Sequence, residues 1–211
     1  MAKFSWPEIK FCDEYKKFIV EHIKPLMQKN DMSSVRELIY ECVHNGAYDE
    51  ILGRGASNDP WEIQTFLLRK LGEQSYFRDS DSIFELEFFQ TAVESLVLPS
   101  NIDTIYTDAF TESALKTLKI TSDTIDICDN AFNDTDCVIY VPKKCKVYIF
   151  MDDGGYVVGC SEITAAPTKE KRWEIAKDYW LYDECEEDTQ EELEEDFDKL
   201  EQNLLSKIKR Y

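Results

Sequence analysis

Histidine is almost missing from this chain: His22 and His44 are the only two in 211 residues. An enzyme that moves protons with imidazole therefore has two candidates, and neither sits in a promising setting. His22 falls on the apolar side of a helical pattern, where a hydrogen-bonded core or interface histidine is the expected role. His44 follows Cys42 by two residues, and on a helix those positions point in different directions. Also missing are the Gly-x-Ser-x-Gly nucleophile elbow, the Walker phosphate loop and the His-Glu-x-x-His zinc motif. Gly53-Arg54-Gly55 has no strand before it and makes a poor phosphate cradle. The expectation is a protein that is not an enzyme, with no catalytic residue and no cofactor.

Long apolar runs are absent too. None approaches the roughly 18 residues of a membrane span. The opening Met1-Ala2-Lys3-Phe4-Ser5-Trp6-Pro7-Glu8 lacks the apolar core and cleavage site of a secretory signal. A cytoplasmic protein is expected, in the host cytoplasm if the chain is viral. No Cys-x-x-Cys occurs among the cysteines at 12, 42, 128, 137, 145, 160 and 185, and their number is odd. They are expected as reduced, mostly buried thiols rather than a disulfide or zinc framework. Asp123, Asp126 and Asp129, or Asp152 and Asp153, do not follow EF-hand spacing. They are expected as solvated turn acids, with no metal.

Acid is abundant. The formal net charge is −19, which disfavours phosphate backbones and anionic membranes as direct partners and favours basic protein surfaces. The excess is uneven: residues 1–70 carry a net −1, 71–182 a net −10 and 183–211 a net −8. Hydrophobic residues make up 43%, with 12 Phe, 11 Tyr and 4 Trp, enough for a packed core.

Helix starts punctuate the first 95 residues. Ser5-Trp6-Pro7-Glu8 has capping-box form, and Ile9, Cys12, Tyr15, Ile19, Ile23 and Leu26 follow at helical spacing. Ser34-Val35-Arg36-Glu37 opens a second helix, which stops near Asn45-Gly46. Asp59-Pro60-Trp61-Glu62 opens a third, with Gly72 after it. Ser82-Ile83-Phe84-Glu85 reads as the start of a fourth, rich in Phe84, Phe88 and Phe89.

From Ser95 the period changes. Leu96-Val97-Leu98-Pro99, Leu118-Lys119-Ile120-Thr121 and Ile139-Tyr140-Val141-Pro142 recur at intervals of 22 and 21 residues. Ala109-Phe110 returns as Ala131-Phe132, and Ile105 as Ile127. Such a period, with one short strand per unit, marks a solenoid. The stretch 96–142 resembles the BspA-type leucine-rich repeat, with a Leu-x-Ile-Pro-like strand, an Ile102-to-Ile105 segment and an Ala-Phe pair. In the second unit Thr121 and Thr124 depart from that pattern, and the glycine often found before Ala-Phe is missing. The resemblance implies a recognition surface built on a repeat core of Leu96, Leu98, Ile105, Phe110, Leu118, Ile120, Ile127 and Phe132. So short an array needs caps at both ends.

Beyond it, two apolar segments flanking Asp152-Asp153-Gly154 predict a β-hairpin. A helix is expected after Pro167-Thr168, with Trp173, Ala176 and Trp180 on one side. A last helix is expected from about Asp188 to the end. On it Leu193, Phe197, Leu200, Leu204 and Ile208 step by 4, 3, 4 and 4, like a coiled-coil seam for a partner or a second copy. Eleven carboxylates fall within 183–198, and Glu186, Glu187, Glu191, Glu194, Glu195 and Asp198 are the expected acidic surface.

The expected fold is thus α+β. It comprises an N-terminal helical block over 1–95, a short leucine-rich-repeat-like β solenoid over 96–145, and a β-hairpin with acidic C-terminal helices over 146–211. The expected function is a protein-binding adaptor or inhibitor whose partner has a basic surface. Two alternatives stand beside it. One is an acidic decoy that imitates nucleic acid and blocks a DNA- or RNA-binding protein, of the phage counter-defence type. The other is a structural subunit of a larger assembly.

Overall fold

The computed structural model describes residues 17–44, 61–91, 93–151, 156–157, 160–180 and 190–211. The capping box at Ser5, the Gly53-Arg54-Gly55 loop, the Asp59-Pro60 helix start and the Asp152-Asp153-Gly154 turn lie outside these residues. The chain divides between Asp79 and Ser80 into two compact units.

In the first unit a π-helical turn, Ile19–Ile23, runs into α1 (Lys24–Gln28). The wider turn sets Phe18 and Ile23, five residues apart, on the buried side. His22 is left exposed with its ring 5.2 Å from that of Phe18, so it is not a core histidine. Helix α2 (Met32–His44) starts before Ser34. Its cap is Asp31, whose carboxylate accepts from the Ser34 backbone N–H at 3.1 Å and from the Ser34 hydroxyl at 2.8 Å. Helix α3 (Trp61–Leu71) ends on Gly72, whose φ of 72° is the left-handed value that glycine takes without strain. The short α4 (Glu73–Tyr76) follows. Arg36 is buried, with its guanidinium 5.5 Å from the Tyr76 ring centroid and 5.2 Å from that of Phe77.

The second unit is a parallel β-solenoid with helices after it. One sheet, A, has the order β1 (Ser82–Ile83), β3 (Thr104–Ile105), β5 (Thr124–Cys128), β7 (Lys146–Phe150) and β8 (Tyr156–Val157). The other, B, has the order β2 (Ser95–Leu98), β4 (Thr117–Ile120), β6 (Val138–Val141) and β9 (Ile208–Arg210). All neighbours are parallel except β7 and β8, which form the expected hairpin pairing, Ile149 opposite Val157. All eight expected repeat-core residues are buried.

The solenoid begins one turn earlier than the repeats suggest. Ser82-Ile83 is a strand, not a helix start, and Ile83 pairs with Ile105 as Ile105 does with Ile127. Phe88, Phe110 and Phe132 stack through the core, with ring centroids 5.1 and 5.0 Å apart and planes within 7° and 4°. The corner that carries them is laddered as well. Phe88 N–H donates to the Ala109 carbonyl at 2.8 Å, and Phe110 N–H to that of Ala131 at 2.8 Å. Where an alanine stands in the later turns, the first has Glu87, which is buried and accepts from the Phe84 backbone N–H at 2.9 Å. A helix over 82–90 is also barred by left-handed backbone at Leu86 (φ 53°) and Gln90 (φ 51°). The same conformation recurs at Asp108, Glu112 and Asp134, so these turns bend left-handed without glycine.

Among the described residues, three helices follow: α5 (Cys160–Ala165), α6 (Lys169–Trp180) and α7 (Gln190–Asn203). Thr168 caps α6, its hydroxyl accepting from the Lys171 N–H at 3.3 Å. The expected last helix stops at Asn203. A 3₁₀ turn over Leu205–Lys207 leads into β9, which adds a strand to sheet B in register with β6, Ile208 opposite Ile139.

Candidate interaction surfaces

Strand alternation decides what each sheet offers outward. On sheet B the inward positions are Leu96, Leu98, Leu118, Ile120, Ile139 and Val141. The outward row across the strands is Val97, Lys119, Tyr140 and Lys209, directly paired in that order. Beside it run Ser95, Thr117 and Val138. None of these outward residues is acidic, in a chain of net charge −19. Val97 is 38% exposed, Tyr140 37% and Tyr211 45%, large values for apolar and aromatic side chains. Tyr211 is anchored across the face. Its hydroxyl donates to the Ile120 carbonyl at 3.1 Å, and the Lys119 ammonium stands 4.8 Å from its ring centroid.

Sheet A presents a different chemistry. Thr104, Asp126 and Tyr148 pair outward in one row, and Tyr106 meets Phe150 edge-on at 6.1 Å. Burial raises the Asp126 pKa, and the nearby Asp103 carboxylate raises it further.

The end of the solenoid is held by cations from the last residues. Arg210 donates to the carbonyls of Lys143 at 3.2 Å, Cys145 at 2.8 Å and Ser161 at 3.2 Å, and to the Thr164 hydroxyl at 2.8 Å. The Lys207 ammonium donates to the Phe132 carbonyl at 2.8 Å. Burial lowers its pKa, offset in part by Cys137, Asp136 and Asp134.

The expected coiled-coil seam needs correction. Phe197, Leu200, Leu204 and Ile208 are all buried within the chain's own fold, and Leu193 is half-buried. Leu204 and Ile208 lie past the end of the helix. The stripe therefore closes the second unit instead of facing a partner or a second copy. Helix α7 is fixed to α6 by a fork in which Arg172 Nε and Nη2 donate to the two carboxylate oxygens of Glu201, the first at 2.7 Å. Both side chains are almost buried, and Arg172 Nη1 also donates to the Ala166 carbonyl at 3.1 Å. Trp173 packs on Phe197 with centroids 5.0 Å apart, and Ala176 is buried as expected. The Trp180 side chain lies outside the described residues.

Of the expected acidic surface, Glu194, Glu195 and Asp198 are exposed on α7. Glu186 and Glu187 lie outside the described residues, as does the Glu191 side chain. The visible acids keep cations of their own. Lys169 meets Asp198 at 2.8 Å, and Lys199 meets Glu195 at 3.2 Å and Asp196 at 3.3 Å.

Cys128, Cys137, Cys145 and Cys160 are buried free thiols. Burial pushes those of Cys128, Cys137 and Cys160 up to about 11, so at neutral pH they stay protonated and are poor nucleophiles. The side chains of Cys42 and His44 lie outside the described residues. Among the described residues, no three His, Cys, Asp or Glu side chains are grouped to hold a metal ion, and no helix is long and apolar enough to cross a membrane. The outward row on sheet B is what sequence reasoning missed. Its only signal was the lack of acid at the alternate positions of three strands. No family model matches the chain, and neither does any curated protein or solved structure.

Proposed function

We propose that this chain is a non-catalytic protein-binding module of the BspA-like repeat type, and that the outward face of sheet B is its main contact surface. The observation that carries this reading is the acid-free row of Val97, Lys119, Tyr140 and Lys209, flanked by Tyr211. A rigid parallel ladder holds those side chains in place, so little ordering entropy is lost on contact. Tyrosine supplies large, stiff contact area, and the two lysines select a partner surface that carries carboxylates. The acidic excess of residues 71–211 steers such a partner away from the acid-bearing faces of that part of the chain.

The acidic helix α7 is a second contact surface, suited to a basic partner region. The decoy reading has weaker support, because Lys169 and Lys199 already neutralise part of the carboxylate density on α7.

Site-specific photo-crosslinking tests the main reading. A photoreactive phenylalanine analogue replaces Tyr140 on sheet B, Tyr148 on sheet A or Glu112 at a turn, and cells that naturally make the protein are irradiated. The expected outcome is a discrete adduct from position 140 that disappears when Lys119→Glu and Lys209→Glu are added. Adducts only from 148 or 112 would overturn it.

A further inference from the structure

Strand β9 and the residue after it bring Lys209 and Tyr211 to the outward face of sheet B. That strand forms an edge of the sheet and is three residues long. Ile208 is its one buried side chain, with Lys209 exposed and Arg210 half-buried. Every other strand of the sheet buries two apolar side chains: Leu96 and Leu98, Leu118 and Ile120, Ile139 and Val141. Local opening is easiest where the fewest apolar contacts are lost, so β9 is the strand best able to let go while the solenoid stays folded.

What holds it is Arg210, whose guanidinium lies where two other segments meet. From the turn after β6 it finds the carbonyls of Lys143 at 3.2 Å and Cys145 at 2.8 Å. From α5 it finds the Ser161 carbonyl at 3.2 Å and the Thr164 hydroxyl at 2.8 Å. Helix α5 is itself fixed to β7: the Ser161 hydroxyl accepts from the Val147 N–H at 3.0 Å and donates to the Val147 carbonyl at 3.2 Å. The acceptors are thus already in place on the body of the unit. A planar fork reaches such divergent oxygens, and a single ammonium does not.

Side chains alternate along a strand, so Arg210 points away from the face that its neighbours build. Docking puts Lys209 opposite Tyr140. It also places Tyr211, whose backbone N–H donates to the Val141 carbonyl at 3.0 Å and whose carbonyl accepts from the Lys143 N–H at 3.0 Å. The Tyr211 ring in turn carries the Lys119 ammonium at 4.8 Å from its centroid. With β9 released, the row loses one of its two lysines, and the other loses the ring that positions it.

We propose that β9 is a latch on the sheet B contact face. Arg210 grips α5 and the turn after β6, and the face takes its carboxylate-bearing partner while the strand is docked and not when it is released. This rests on the reading of sheet B as a contact surface and names what controls it. Arg210 acts through Lys209 and Tyr211 and is a positioning residue.

Two variants test this. Arg210→Gln removes the fork, and Thr164→Val removes one of its acceptors without altering charge or the face. Amide hydrogen exchange compares the Tyr211 N–H with the Phe110 N–H, which donates to the Ala131 carbonyl in the solenoid corner. Arg210→Gln is expected to speed exchange at Tyr211 about tenfold or more and at Phe110 less than about twofold. Thr164→Val is expected to move Tyr211 the same way by a smaller factor. The crosslink from position 140 is expected to fall about fivefold in Arg210→Gln, since apparent affinity follows the docked fraction. Unchanged exchange at Tyr211 would overturn the latch, and equal acceleration at both amides would make Arg210 a contributor to global stability alone. A full crosslink from a variant whose Tyr211 amide exchanges fast would also overturn it, because the face would then work undocked. Each of these failures leaves the crosslink of the unaltered protein in place, whereas failure of the contact-surface reading removes it from every variant.

Discussion

The Phe110 ring lies in the core with Phe132 on one side, 5.0 Å away and within 4° of parallel, and Phe88 on the other at 5.1 Å. It is the only ring of the three with both neighbours in the stack. Replacing it with alanine removes contacts from two turns at once, with an expected loss of about 3–5 kcal/mol in urea unfolding. A double-mutant cycle between Phe110→Ala and Phe132→Ala isolates the stacking, for which about 0.5–1.5 kcal/mol of coupling is expected. Strictly additive losses would mean that the rings are neighbours without being partners.

The buried fork between Arg172 and Glu201 predicts an asymmetry. Glu201→Leu alone strands a guanidinium beside apolar neighbours and is expected to cost about 3–5 kcal/mol. Arg172→Met combined with Glu201→Leu removes both charges and is expected to recover most of that loss, because the pair's attraction barely exceeds the cost of drying both ions. Thermal melts of the two single variants and the double variant check this. A double variant no better than the worse single would show that the fork stabilises in its own right.

The repeating left-handed turns offer a gain. Glu112 has φ 53° and is exposed, so it bears the steric cost of that backbone region while its carboxylate accepts one solvent-exposed hydrogen bond, from Gln90 Nε2 at 2.7 Å. Glu112→Gly relieves about 1–2 kcal/mol of strain and gives back part of it as extra freedom in the unfolded chain. A net rise of roughly 0.5–1 kcal/mol is expected, read as a higher urea midpoint with an unchanged slope. Alanine at 112 should give no comparable rise.

What could be read from the chain followed from which physical rule was locally unopposed. The Ala-Phe pairs at 109 and 131 announced stacked turns because short apolar alternations, β-branched residues and turn residues accompany the 22-residue period. The first turn was hidden by Glu87, which stands in the place of that alanine. Phe84, Phe88 and Phe89 also have the spacing of a helix face, and it takes the strand pairing of Ile83, the left-handed backbone at Leu86 and Gln90 and the ladder to the Ala109 carbonyl to decide against helix. The end of the chain misled in the opposite sense. Leu193 through Ile208 step as a seam, yet no glycine or proline marks the break after Asn203, and the vacant edge of β6 outcompetes another helical turn. The face of sheet B was scarcely visible, since alternation tells which residues point outward only once the strands and their register are known.

Alkaline pH should expose the buried thiols thermodynamically. In the folded chain Cys128, Cys137 and Cys160 hold their protons up to about 11, raised by burial from a value of 9.0. Between those two values the folded state keeps protons that the unfolded chain has released. Their contribution to stability is therefore complete below pH 9 and is lost as pH rises through about 11. Three such groups give a slope of at most about 4 kcal/mol per pH unit in that window. Lys207 opposes them: its folded pKa is lowered, so stability returns as pH climbs toward 10.5, the value in the unfolded chain. The thiols outnumber it, and the net expectation is a falling urea midpoint from pH 9 upward. Cys137→Ala with Cys160→Ala should flatten that fall even if it lowers stability at pH 7. A midpoint independent of pH across 9 to 11 in the unaltered protein would mean that these thiols are reached by water in the folded state.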